Sequence, residues 1–124
     1  KEDIAHLYPM GTLQKSGIMV AGSSDSPIVE SNPMTGIYSA ISRMAKTGKT
    51  VSPKERVDTL SAIQMFTLNA AKASFDEDLK GSVTPGKLAD LVLLSHDPTR
   101  LPLEEIKDIK ILMTIIDGQI VWKS

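Results

Sequence analysis

Hydrophobic positions along the chain fall into two rhythms. Ile37, Ala40, Ile41 and Met44 recur at i, i+3, i+4 and i+7, the spacing that stacks side chains on one face of a helix. Asn32 before Pro33 offers an N-cap followed by a first-turn proline, whose missing N–H costs nothing there. The pattern predicts a helix over 33–46, closed by Thr47-Gly48-Lys49. Val57, Leu60, Ile63 and Phe66 continue at helical spacing. Ser52 and Glu55 have the Ser-x-x-Glu spacing of a capping box, with Pro53 in its first turn. A second helical stretch is expected over 53–74, either continuous or as two helices meeting at a bend, with Thr67 placed to cap the second. Glu2 to Lys15 reads as helical in part, with Pro9 at a helix start or a break.

The second rhythm is that of strands. Ile18-Met19-Val20-Ala21 is an unbroken apolar run between glycines, which predicts a short strand buried on both faces, as in a parallel sheet. Leu91 to Leu94 is read as a second buried strand. Ile111 to Ile116 and Gln119 to Trp122 flank Asp117-Gly118, a dipeptide suited to the positive φ angles of a two-residue hairpin turn. Pro102 to Ile106 is one helical turn at most. The order is a strand, then helices, then strands, an α+β arrangement. Nothing else in the N-terminal half offers the first strand a neighbour, so its partners are expected outside this chain.

Composition narrows the classes. With 124 residues the chain is one domain, too short for two of ordinary size. An apolar share of 41% excludes a disordered chain. The formal charge of −1 implies no pull toward nucleic acid or an anionic membrane. No apolar run approaches the roughly 20 residues that span a bilayer. There is no cysteine, hence no disulfide framework and no thiolate metal site, and a cytoplasmic location is the expectation. The chain opens Lys1-Glu2-Asp3 and is poor in aromatic residues, which suggests a piece of something longer.

Candidate chemistry is sparse. Gly22-Ser23-Ser24-Asp25-Ser26-Pro27 follows the first apolar run directly. A carboxylate past a strand tip can ligate a metal or take a proton from water, although Asp in such a loop is more often a turn residue. The two histidines, His6 and His96, have no partner at ligand spacing and read as surface residues. Asp76-Glu77-Asp78 reads as a solvated loop, lacking the glycine and spaced oxygens of a calcium site. The serines near Asp25 have no neighbouring histidine, which argues against a serine nucleophile.

Five stretches together carry a family resemblance. They are Tyr8-Pro9-Met10 with Leu13, the run Gly17 to Pro27, Asn69-Ala70-Ala71, the run Gly81 to Leu94 and the hairpin Thr114 to Val121. Within them, Pro85-Gly86-Lys87-Leu88-Ala89-Asp90 is the most specific. The chain resembles the C-terminal part of the metal-dependent amidohydrolases, in particular amidohydrolase family 3, with its YtcJ-like and formamide deformylase-like members.

The resemblance implies that residues 1–75 end a (β/α) barrel, with 18–21 as its last strand, and that residues 76–124 supply strands of a flanking β-sandwich. It implies hydrolysis of a C–N bond in a small amide or cyclic amide, with Asp25 both binding a divalent metal, zinc by the resemblance, and serving as general base. Lys87, Ala89 and Asp90 match a structural turn with no catalytic role. The chain departs from the family in lacking a His-x-His pair and the further His and Lys or Glu ligands. The isolated chain is therefore expected to be inactive and to hold no metal. No nucleic acid or membrane partner is implied, while unpaired strands would favour a homo-oligomer. The alternative is a non-catalytic α+β interaction module that self-associates.

Overall fold

The computed structural model describes residues 7–124. Helix α1, Met10–Lys15, begins directly after Pro9. Pro9 offers no side-chain cap. The free N–H of Thr12 in the first turn is met instead by Glu55, 43 residues on, at 2.7 Å, while the Thr12 hydroxyl donates to the other carboxylate oxygen at 2.6 Å. Residues 7–9 of the expected helical segment are not helical, and residues 2–6, with His6, lie outside the described residues.

Helix α2, Pro33–Ser42, starts as its sequence predicts, the Asn32 side chain accepting from the Met34 N–H at 3.0 Å. Met34, Ile37 and Ala40 form its buried face. It stops earlier than the apolar spacing suggests. Arg43 adopts a left-handed conformation, φ 56°, and its guanidinium donates to the carbonyls of Val51 at 3.1 Å, Tyr8 at 3.3 Å and Leu7 at 2.6 Å. Met44 leaves the helical face and instead bridges Thr50 across a tight turn.

The second helical stretch is broken into three parts. Pro53–Glu55 is a single 3-10 turn, α3 is Thr59–Met65 and α4 is Leu68–Ala73. The capping box expected at Ser52 and Glu55 does not form, because the Glu55 carboxylate is turned to α1. Asp58 caps the helix proper, accepting from the Ser61 N–H at 2.9 Å and the Ser61 hydroxyl at 2.6 Å. The bend at Phe66 and Thr67 is the one anticipated, though Thr67 bonds back to the Ile63 carbonyl at 2.9 Å rather than capping α4.

Residues 91–124 hold α5, Leu103–Ile106, and an antiparallel sheet of β1, Leu91–Leu94, β2, Ile111–Ile116, and β3, Gln119–Lys123, in the order β1-β2-β3. At the hairpin, Asp117 and Gly118 take φ 49° and 76°, as their side chains permit. The Asp90 carboxylate accepts from the Asp117 N–H at 2.9 Å, and Gly118 donates to the Ala89 carbonyl at 3.1 Å. Asp90 is therefore a turn-fixing residue, as read from sequence.

The core gathers Met34, Ile37, Ala40, Val57, Ala62, Met65, Ile106 and Ile109, with Ala62 and Ile106 at its centre. The mixed helix-and-sheet class agrees with expectation, while the reading of Leu91 to Leu94 as a buried strand needs correction. Ile18 to Ala21 makes no ladder among the described residues, and Ile18 and Met19 stand half-exposed. β1 is not buried on both faces either, since Val92 and Leu93 are also half-exposed. An apolar run is buried only where a second layer covers it, and among the described residues the core meets these two runs only through Val20 and Leu94. Among the described residues, no helix is long and apolar enough to cross a membrane.

Candidate functional site

The irregular passage from Ile18 to Ser24 lies against α3 and α4 and ends at the turn that presents Asp25. The Ile18 N–H donates to the Leu13 carbonyl at 3.0 Å, and three further contacts hold the passage. Asn69, in the first turn of α4, donates its amide to the Val20 carbonyl at 3.0 Å. The Gly22 N–H donates to the Met65 carbonyl at 2.8 Å, filling one of the acceptors left open at the end of α3. The Phe66 ring sits between Gly22 and Gly36, so close that a Cβ at either glycine would fall 2.5 Å from a ring carbon. A side chain at position 22 would thus require the Phe66 ring to shift.

Beyond Gly22 the hold is local and loose. Asp25 takes a left-handed φ of 52°, and its carbonyl accepts from the Ile28 N–H at 2.9 Å. The Ser23 and Ser24 hydroxyls accept from the N–H groups of Asp25 and Ser26 at 3.3 Å each, long for such bonds. The residue is exposed. Two open clefts lie nearby. One, of about 250 Å³, runs beside Ile18 and Val20 with Gln64 and Asn69 on its wall. The other, of about 650 Å³, separates α2 to α4 from β1. Asp25 lines neither.

No group of three or more His, Cys, Asp or Glu side chains able to hold a metal occurs among the described residues. His96 is exposed, its ring beside the Ser95 hydroxyl at 3.1 Å, and does not approach the Asp25 loop. In the charged loop, Asp76 pairs with Lys80 at 2.9 Å, and that contact, with the Ser74 hydroxyl, holds its carboxyl below the usual range. Lys87 donates to the Glu77 carbonyl and to the Ser82 hydroxyl, the latter at 2.8 Å, so it closes its own turn. Both observations agree with roles in solvation and turn structure.

Sequence reading did not assign the supports of the loop. Asn69 belonged to a recognised segment, but no spacing rule links an amide in α4 to a carbonyl 49 residues earlier. Glu55 was assigned to its own turn, and nothing local pointed to Thr12. In the structure its carboxyl is held below the ordinary value, first by the Thr12 hydroxyl and then by the Thr12 N–H.

Comparison with known proteins matches this arrangement. A crystal structure of an amidohydrolase from Thermotoga maritima MSB8 superposes with a TM-score of 0.70 over 93% of this chain and 26% of that one, at 24% identity, which shows a shared fold. The N-substituted formamide deformylase of Arthrobacter pascens is 31% identical over 112 residues, 90% of this chain and 21% of that protein. YtcJ of Bacillus subtilis (strain 168) is 31% identical over 127 aligned positions, 100% of this chain and 24% of its own length. The chain thus spans about a fifth to a quarter of these relatives. The family model described as "Amidohydrolase family" matches residues 1–122, and the chain belongs to that family.

Proposed function

We propose that this chain is the C-terminal segment of an amidohydrolase that hydrolyses C–N bonds in small amides. Residues 1–75 would close its (β/α) barrel, with 18–21 as the last strand, and residues 76–124 would add strands to a flanking β-sandwich. Asp25 is the residue assigned to the chemistry. The observation that carries the reading is a carboxylate exposed on a loop whose stem is fixed to two helices, within a chain of this family. Loops on a rigid scaffold are where such enzymes keep reacting groups.

As general base, the Asp25 carboxylate accepts a proton from the attacking water as its oxygen bonds to the amide carbon. It returns that proton to the nitrogen as the C–N bond breaks, leaving a carboxylic acid and an amine. The family resemblance implies a divalent metal, zinc, at this site. The described residues supply one carboxylate and not the three ligands such an ion needs, so on their own they do not fit it. The printed activity of the Arthrobacter relative makes N-substituted formamides the first substrates to try.

Asp25→Asn in the full-length protein tests the assignment. Hydrolysis should fall by roughly 10²- to 10⁴-fold, the usual contribution of a positioned base, with an unchanged melting curve. Turnover near that of the unmodified protein removes Asp25 from the role. A second reading, a non-catalytic module that self-associates, is supported by β3, an edge strand with all five residues exposed. Under that reading the same substitution is silent.

A further inference from the structure

The geometry points to Asn69 as the positioning residue for Asp25, an inference that rests on the catalytic assignment above. The stem of the loop is fixed at Val20 and Gly22, and the last of these anchors lies three positions before the carboxylate. The Gly22–Met65 bond joins backbone to backbone, and the Phe66 ring acts by bulk. Asn69 is different, because its amide makes a directed bond from α4 to the stem. It does not approach the reacting groups and holds no proton that the reaction uses.

The anchor matters because the turn beyond it is weakly held. The serine hydroxyl contacts at 3.3 Å leave residues 23–25 to follow wherever the stem points. Without the Asn69 donor, the Val20 carbonyl loses its partner and the stem between the Ile18 and Gly22 backbone bonds is free to shift. The expected effect is a displaced carboxylate, with substrate binding by the rest of the protein left as it was. Displacements on the order of 1 Å at a reacting group cost about a hundredfold in rate.

The test uses the full-length protein, with hydrolysis of N-alkyl- and N-arylformamides as the assay, below the melting temperature of every variant. Asn69→Leu removes the donor at similar volume and should lower kcat by roughly ten- to a hundredfold, with KM nearly unchanged. Asn69→Gln retains an amide donor and should recover part of that loss. Should the leucine variant fail to fold, Asn69→Asp keeps the shape, sets a carboxylate oxygen against the Val20 carbonyl, and carries the same expectation. A leucine variant within about twofold of the unmodified kcat overturns the inference, as does a loss confined to KM or one equal in the leucine and glutamine variants. Asp25→Asn is measured alongside. If it alone retains turnover, the catalytic reading fails; if it is inactive while Asn69→Leu is normal, only the role of Asn69 fails.

Discussion

The helical region, residues 7–75, and the sheet region, residues 91–124, are stabilised in different ways. In the first, polar side chains reach far along the chain: Arg43 to the carbonyls of Leu7 and Tyr8, Glu55 to Thr12, and Asn69 to Val20. In the second, the strands follow one another through a hairpin and are tied by Asp90 to the turn. The first region buries a core, whereas every residue of β3 is exposed. A sheet can hold its register through its ladder and turn alone, but its faces bury apolar surface only against another layer. The difference locates where this chain is complete in itself and where its apolar surface remains uncovered.

The strongest test of that contrast is the residue that joins the regions. Ile106 on α5 is 1% exposed and belongs to the buried cluster formed with α2 and α3 side chains, against which Leu94 of β1 also packs. Ile106→Ala removes buried methyl groups from the centre of the core, and a loss of about 2–5 kcal/mol is expected from urea unfolding. A loss no larger than that of a surface change would mean that the core does not depend on this bridge, and the two regions would be independent.

The polar lock at Glu55 gives a smaller effect, recognisable by its pH dependence. Its carboxyl is held below the ordinary value by the Thr12 hydroxyl and N–H. Because the folded group is the stronger acid, its contribution is fully present above the ordinary carboxylate range. That contribution is lost as pH falls through the folded value. Melting temperatures should therefore decline for the unmodified chain below about pH 4.3, and less steeply for Glu55→Gln. Parallel curves for the two proteins would show that the Glu55–Thr12 contact contributes nothing in solution.

How far these features were legible follows the same division. Features set by neighbouring residues were readable: the Asn32-Pro33 helix start, the bend near Thr67 and the Asp117-Gly118 hairpin. Features set by distant partners were not. Helix α2 ends at Arg43 because its guanidinium finds carbonyls at Leu7, Tyr8 and Val51, although the apolar spacing runs on to Met44. Glu55 has capping-box spacing to Ser52 yet serves α1, since an orphan N–H there is an equally good donor. At the candidate site, the loop singles out Asp25 in the sequence, whereas the Asn69 bond to the Val20 carbonyl is one that no periodicity encodes.

The smallest expected effect sharpens the comparison most. Ile120 on β3 is 59% exposed, and neither face of that strand is covered by the described residues. In the 124-residue chain, Ile120→Thr should change stability by no more than about 0.5 kcal/mol, as surface substitutions do. Threonine keeps the β-branch, so the strand itself is not weakened. In the full-length protein, burial under a sandwich layer would raise the cost toward the roughly 1.5–3 kcal/mol of a buried aliphatic side chain. Measuring the same substitution in both proteins therefore reads the covering layer directly. Equal small losses would leave β3 an exposed edge in both, which favours the self-associating module, because an uncovered apolar edge strand remains free to pair with another copy.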